Sequence, residues 1–127
     1  MAATSLKRIA EAQDPGAYLP LDLAFLAKQT LGDDALADEI LRLFDTMART
    51  YMDRIVQSPS PEAMLPHLHT LKGASAGVGA FDLREMVRVA ETSIQAGKGL
   101  DPEAVADLSV AVEAVSAFIA HRIELAA

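Results

Sequence analysis

Apolar residues recur at three- and four-residue spacing along most of this chain, the pattern of helices with one buried face. Between residues 34 and 56, Leu36, Ile40, Leu43, Phe44, Met47, Tyr51 and Ile55 keep that spacing and predict a long helix with these side chains inward. A short helix is expected before it, from Leu21 to Thr30 after Pro20; Gly32 ends it and Asp33 can cap the long helix. Ser58-Pro59-Ser60-Pro61 breaks the chain, and the next helix is expected from about Glu62 to Val78, its end marked by Gly77 and Gly79. Leu83, Met86, Val87, Ala90 and Ile94 mark the inward face of a helix from Phe81 to Ala96. After Gly97-Lys98-Gly99, Asp101-Pro102-Glu103 supplies an N-cap, a first-turn proline and an acid at the positive end of the dipole. That helix runs to about Leu125 through Leu108, Val112, Val115, Phe118, Ile119 and Ile123. No strand pattern is present. The expected fold is all-α, an antiparallel up-and-down four-helix bundle with a short extra N-terminal helix. Residues 1–18 read as an N-terminal segment with a turn signal at Asp14-Pro15-Gly16 and a short helix at Leu6–Ala12; residues 19–127 read as one domain.

Composition agrees with close helix packing. The 127 residues are 51% hydrophobic but only 5% aromatic, and 127 residues suffice for one domain with a core. The net charge of −7 argues against sequence-independent nucleic-acid binding and against docking on anionic lipid. Absence of cysteine excludes disulfides, thiol catalysis and zinc–thiolate sites. Met1–Ala12 is too polar for a signal peptide. No apolar run is expected to approach the roughly 20 residues of a membrane span. A cytoplasmic protein is therefore the expectation.

The chemistry concentrates in Leu68-His69-Thr70-Leu71-Lys72-Gly73-Ala74-Ser75. At about 100° per residue, Met64, Leu68, Leu71, Ala74, Ser75 and Val78 gather opposite His69, while Lys72, Gly73, Ala76 and Gly77 share its side. Imidazole exchanges its proton near neutral pH, so its nucleophilic neutral form is available there. Lys72, at i+3, can bring an ammonium to the same face and offset the charge of a phosphoryl group on the ring. Gly73, at i+4, sits where a side chain is expected to crowd the imidazole. A mid-helix glycine costs about 1 kcal/mol relative to alanine, which close approach by a partner backbone would offset; a tight helix crossing is the other explanation. Ser75 falls on the core side, where its hydroxyl can bond back to a helix carbonyl. Leu65, Ala76 and Gly77 would give His69 a low-relief docking patch. His67 is about 200° from His69, so the two cannot share a metal ion, and it reads as a partly buried histidine. His121 reads as a surface group. In the charged run Asp82, Arg84, Glu85 and Arg88, a solvated face is the plain reading; alternatively Arg84 and Arg88 select the partner.

These residues resemble the signature of histidine-containing phosphotransfer (HPt) domains, H-x-L-K-G-x-S followed by a glycine-alanine pair. His69, Leu71, Lys72, Gly73, Ser75, Gly79 and Ala80 meet it. Leu83, Val87 and Ala90-Glu91 extend the likeness downstream, and Gly32-Asp33 with Leu36, Ile40, Leu43 and Phe44 extend it upstream. The resemblance covers roughly Leu21 to Gly97. It implies a bacterial-type two-component phosphorelay in which His69 Nε2 takes a phosphoryl group from a receiver-domain aspartyl phosphate and passes it to another receiver domain. It implies that Lys72 favours the phosphorylated state and that Gly73 leaves room for the receiver. The partners would be response-regulator receivers and a hybrid or sensor histidine kinase. No cofactor is expected in this chain; Mg²⁺ would belong to the receiver's acidic pocket. A phosphocarrier without an ATP site is expected, rather than an enzyme, since no P-loop pattern is present. A monomer is expected because one histidine face needs no second subunit.

Two residues depart from the family pattern. His67 stands where a small residue is usual. Pro66, three before His69, falls in the first turn if the helix starts near Ala63, but inside the helix if it starts at Pro61. Two other readings compete. A helical bundle could bind receivers without taking phosphate. A core metal or acid–base enzyme would need inward Glu-x-x-His pairs, which Glu62, His67 and Glu91 do not provide.

Overall fold

The computed structural model describes residues 20–126. The N-terminal segment, with the helix expected at Leu6–Ala12, lies outside the described residues. The described chain forms five helices and no strand: α1 (Leu23–Gln29), α2 (Asp34–Val56), α3 (Pro61–Val78), α4 (Phe81–Gln95) and α5 (Pro102–Ala126). The last four close a ring, with α2 against α3, α3 against α4, α4 against α5 and α5 against α2. This is the expected four-helix bundle with α1 laid across one end.

Local chemistry sets most of the boundaries. Asp22, Asp33 and Ser60 accept hydrogen bonds from the backbone N–H groups of Phe25, Leu36 and Ala63 at 3.0, 3.0 and 3.2 Å, satisfying orphan donors of the first turns. Asp101 accepts from Glu103 and Ala104 and starts α5. Gly79 ends α3 in the left-handed conformation, φ 86°. A β-carbon there would lie 3.1 Å from Asp22 O and from a Phe25 ring carbon. Asp22 N–H donates to Gly79 O at 2.9 Å, and the Phe25 and Phe81 rings meet edge-on at 4.9 Å. Glycine is thus needed twice over, for its φ and for the approach of α1.

The inward face of α2 differs from the one the large apolar residues suggested. Phe44 and Ile55 are buried as expected, but their companions are Ala37, Leu41, Ala48 and Met52. Leu43 is 67% exposed and Leu36 42% exposed, while Ile40, Met47 and Tyr51 sit at the edge of the core. Both stripes keep three- and four-residue spacing. The alanines decide between them, because small side chains let neighbouring helices approach closely. In α4 and α5 the expected positions line the core, with Met86, Phe118 and Ile123 at its margin.

Polar groups also enter the interior, at the α2–α5 seam. Arg122, 5% exposed, donates through Nε to Asp38 Oδ1 at 2.7 Å, with Asp34 at 3.8 Å. Arg49 Nε donates to Asp45 Oδ1 and to Ser116 Oγ, both at 3.1 Å, and the Ser116 hydroxyl donates to Asp45.

One expectation needs correction, and one alternative left open by the sequence is decided. By length and composition α5 does reach the range of a membrane span, with mean hydropathy 1.5 over its most apolar 18 residues within Pro102–Leu125. Alanines and valines raise the mean without a continuous apolar run; Leu108, Val112, Val115 and Ile119 line the bundle core. The second concerns Pro66. Helix α3 starts at Pro61, with Pro66 in its interior, so Pro66 is not a first-turn residue. The helix runs unbroken through it, and Thr70 Oγ1 donates to its carbonyl at 3.1 Å.

Candidate functional site

Helix α3 turns Leu68, Leu71, Ser75 and Val78 into the core. The Ser75 hydroxyl donates to Leu71 O at 2.7 Å, so a buried polar group is satisfied within its own helix. The opposite face, with His69, Thr70, Gly73 and Gly77, is open to solvent. The His69 side chain is 76% exposed. A β-carbon built on Gly73 or on Gly77 would meet nothing within 4 Å. The space around Gly73 is therefore open: a small side chain there would not crowd the imidazole, and no helix crosses at that point. Whatever favours glycine at 73 lies outside the described chain.

The residue that sequence reasoning missed is Glu91 on α4. Its side chain is 9% exposed, and its Oε1 lies 3.0 Å from Lys72 Nζ. Oε1 is nonetheless a buried oxygen without a hydrogen bond; the ammonium is close but off the hydrogen-bond direction, so the contact is one of charge. Oε2 lies 3.9 Å from His69 Nδ1, beyond hydrogen-bond length. A carboxylate left so incompletely satisfied in the interior is costly. The signal was an acid following Ala90, at i+4 from inward Val87, where the apolar stripe of α4 should continue.

This arrangement has a chemical capacity. A carboxylate on the Nδ1 side of an imidazole favours the tautomer with the proton on Nδ1. The lone pair then resides on Nε2, at the far end of the ring. Lys72, about one-third exposed, lies between the buried carboxylate and solvent, where its charge can reach a group entering beside His69.

The remaining sequence candidates flank this centre. Leu65 and Ala76 are half-buried and Gly77 is exposed. Arg84 and Arg88 precede Glu91 by seven and three residues, placing them along the same side of α4. Arg84 lies over the Phe81 ring at 5.1 Å. Arg88 forms a two-pronged pair with Glu85 at 2.5 and 2.8 Å; the guanidinium holds the Glu85 carboxyl below its ordinary value, and Glu85 in turn raises Arg88. His67 is half-buried on the other side of α3, its ring 5.9 Å from Tyr51 of α2, and His121 is exposed. Arginines of α4 border the His69 side, while Tyr51 of α2 packs at His67 on the other side of α3. Among the described residues, no three His, Asp or Glu side chains gather in a metal-binding arrangement.

Known proteins fit this geometry. The model of the Hpt domain family matches residues 39–124. Among solved structures, the histidine phosphotransferase ShpA from Caulobacter crescentus is similar, with TM-score 0.65 and 29% identity, over 84% of this chain and 92% of that one. No curated protein matches the sequence. The matched span takes in all of α3 and α4 and most of α2 and α5, so the chain belongs to the Hpt domain family, whose part in phosphorelays is phosphotransfer.

Proposed function

We propose that His69 is the phosphoacceptor of this Hpt domain. Its Nε2 attacks the phosphorus of a receiver-domain aspartyl phosphate, the P–O bond to the aspartate breaks, and the carboxylate leaves. The group then passes to the aspartate of a second receiver by the reverse chemistry. The observation that carries this reading is the exposed imidazole with Glu91 on its Nδ1 side and Lys72 alongside. Glu91 orients the ring and holds the tautomer; Lys72 offsets charge on the bound phosphoryl group. Gly73 and Gly77 leave room for the receiver backbone.

The receiver docks over His69 with its contact spread to both sides. Leu65, Ala76 and Gly77 form the centre, Arg84 and Arg88 one rim, and Leu36, Ile40, Leu43 and Met47 the other. Leu36 and Leu43 are exposed apolar side chains on that rim, a docking signal, and rim charges tune encounter and partner choice. Any Mg²⁺ belongs to the receiver, and the carrier works in the cytoplasm as a monomer.

The test is phosphoryl transfer from a labelled, phosphorylated receiver to this protein and to His69→Gln. Acid-labile, base-stable label on the parent alone is expected. Label on both would move the acceptor, with His67 next to examine. Label on neither, with receiver binding intact, would leave a binding role only.

A further inference from the structure

Three residues on the exposed face of α3 oppose the helix they sit in. Pro66 lies in its interior, and Gly73 and Gly77 follow at seven and four residues, so all three share the side of His69. Proline and glycine are the least favourable residues at such positions. Packing does not offset the cost: Pro66 is exposed, and a β-carbon on either glycine would meet nothing within 4 Å.

Pro66 also changes the hydrogen bonding of the backbone. It has no N–H, so the Glu62 carbonyl lacks the donor that an α-helix supplies four residues on, and the pyrrolidine ring presses on that same carbonyl. The Pro66 carbonyl, by contrast, accepts from Thr70 Oγ1. Glu62 and Pro66 are both exposed, which leaves the freed oxygen on the solvent side of the helix. Glu62 stands seven residues before His69, on the same stripe and about 10 Å along the axis. Its carboxylate forms no ion pair among the described residues.

The other end of the face carries the opposite charge. Helix α4 runs antiparallel to α3 and brings Glu91 level with Lys72, so Arg84 lies further toward the end of α3. Its guanidinium rests over the Phe81 ring and joins no ion pair among the described residues, unlike Arg88, which Glu85 holds. The surface around His69 is therefore polarised, with Glu62 at one end and Arg84 at the other.

We propose that Glu62 and Pro66 form a second recognition point for the receiver domain, where the Glu62 carbonyl freed by Pro66, together with the Glu62 carboxylate, accepts hydrogen bonds from a lysine or arginine side chain of the receiver. This rests on the reading of the His69 face as the receiver's docking surface. With Arg84 at the opposite end, the contact fixes which way round the receiver sits. A receiver with an acid at that place meets a like charge and an unfilled acceptor, and is rejected.

The test uses the full-length protein, labelled with ¹³C and ¹⁵N and titrated with a Mg²⁺-loaded receiver domain that exchanges phosphate with it. The amide signals of Gly73 and Gly77 should shift, and the Glu62 carbonyl carbon should move downfield, as a carbonyl does on accepting a hydrogen bond. Pro66→Ala returns an N–H to that carbonyl. Its melting temperature should rise, while its affinity for the receiver, read by titration calorimetry, should fall about tenfold, the effect of one hydrogen bond to a charged group. Glu62→Gln keeps the carbonyl and should weaken binding less, with a shallower salt dependence. A Glu62 carbonyl unmoved while Gly73 and Gly77 shift, or full receiver affinity in Pro66→Ala, would overturn this proposal and leave receiver docking standing. Glycine signals that stay unmoved would overturn the docking face and this contact together.

Discussion

Among the described residues, two seams of this bundle carry ion pairs between neighbouring helices, and they are built differently. At the α2–α5 seam the cation is hidden: the Arg122 side chain is 6% exposed and its Nε donates to Asp38 at 2.7 Å. At the α3–α4 seam the anion is hidden: Glu91 is buried, while Lys72 remains partly in solvent and His69 almost wholly so. The first pair has a directed hydrogen bond; the second leaves Glu91 Oε1 without one. A satisfied pair fixes how two helices sit together. An incompletely satisfied carboxylate beside an exposed imidazole has a charge still able to act on something that arrives.

The comparison breaks first at His69. His69→Gln should abolish label uptake from a phosphorylated receiver and leave thermal unfolding nearly unchanged, because an exposed side chain contributes little to stability. Arg122→Ala should do the reverse. Removing one partner of a buried pair strands the other, at about 3 kcal/mol. A fall in Tm of roughly 10 °C is expected, with phosphotransfer intact below the transition. Loss of transfer in a folded Arg122→Ala protein would contradict the division of roles.

Glu91→Gln tests the α3–α4 seam with little change of shape. Phosphoryl transfer should slow by about tenfold, equal to roughly 1.4 kcal/mol in the barrier, while the melting curve moves little. An unchanged rate would reduce Glu91 to a structural partner of Lys72.

Gly73 separates folding from docking more finely. Gly73→Ala should stabilise the protein by up to about 1 kcal/mol, since the site is helical, exposed and free of neighbours. Gly73→Leu should instead weaken receiver binding, read by titration calorimetry, without destabilising the bundle. Equal receiver affinity in that variant would remove the clearance role.

The smallest effect belongs to Glu85 and Arg88. The folded-state value of Glu85 is depressed, so its contribution is present above the unfolded-state pKa and lost as pH falls through the folded one. Both side chains are about half exposed, and salt should screen the pair. Glu85→Gln should therefore leave the acid limb of the stability curve nearly unmoved, while freeing Arg88 to alter the relative transfer rates of different receivers.

Helix order, most caps and the exposed position of His69 were legible in the sequence because each depends on residues a few positions apart. Asp33, Ser60 and Asp101 bond within a single turn, and the three- and four-residue spacing in α3 places Leu68, Leu71 and Val78 opposite His69. The rotation of α2 was not legible. Leu36 and Leu43 carry the same periodicity as the true inner stripe, and only the close fit of Ala37 and Ala48 against neighbouring helices chooses between them. Glu91 was visible as an acid in an apolar stripe, but its meaning required knowing which side chain of α3 stands across from it.

By itself, then, the sequence determined the helical class, the turns, the family and the display of one histidine on a surface of small residues, all consequences of local hydrogen bonding and helical period. Tertiary structure alone decided which face of α2 is buried, that Arg122 closes the far seam, and that a carboxylate 22 residues beyond His69 shares its site. Those outcomes depend on packing between helices distant in the chain, where burial and charge are set by neighbours that no local pattern specifies.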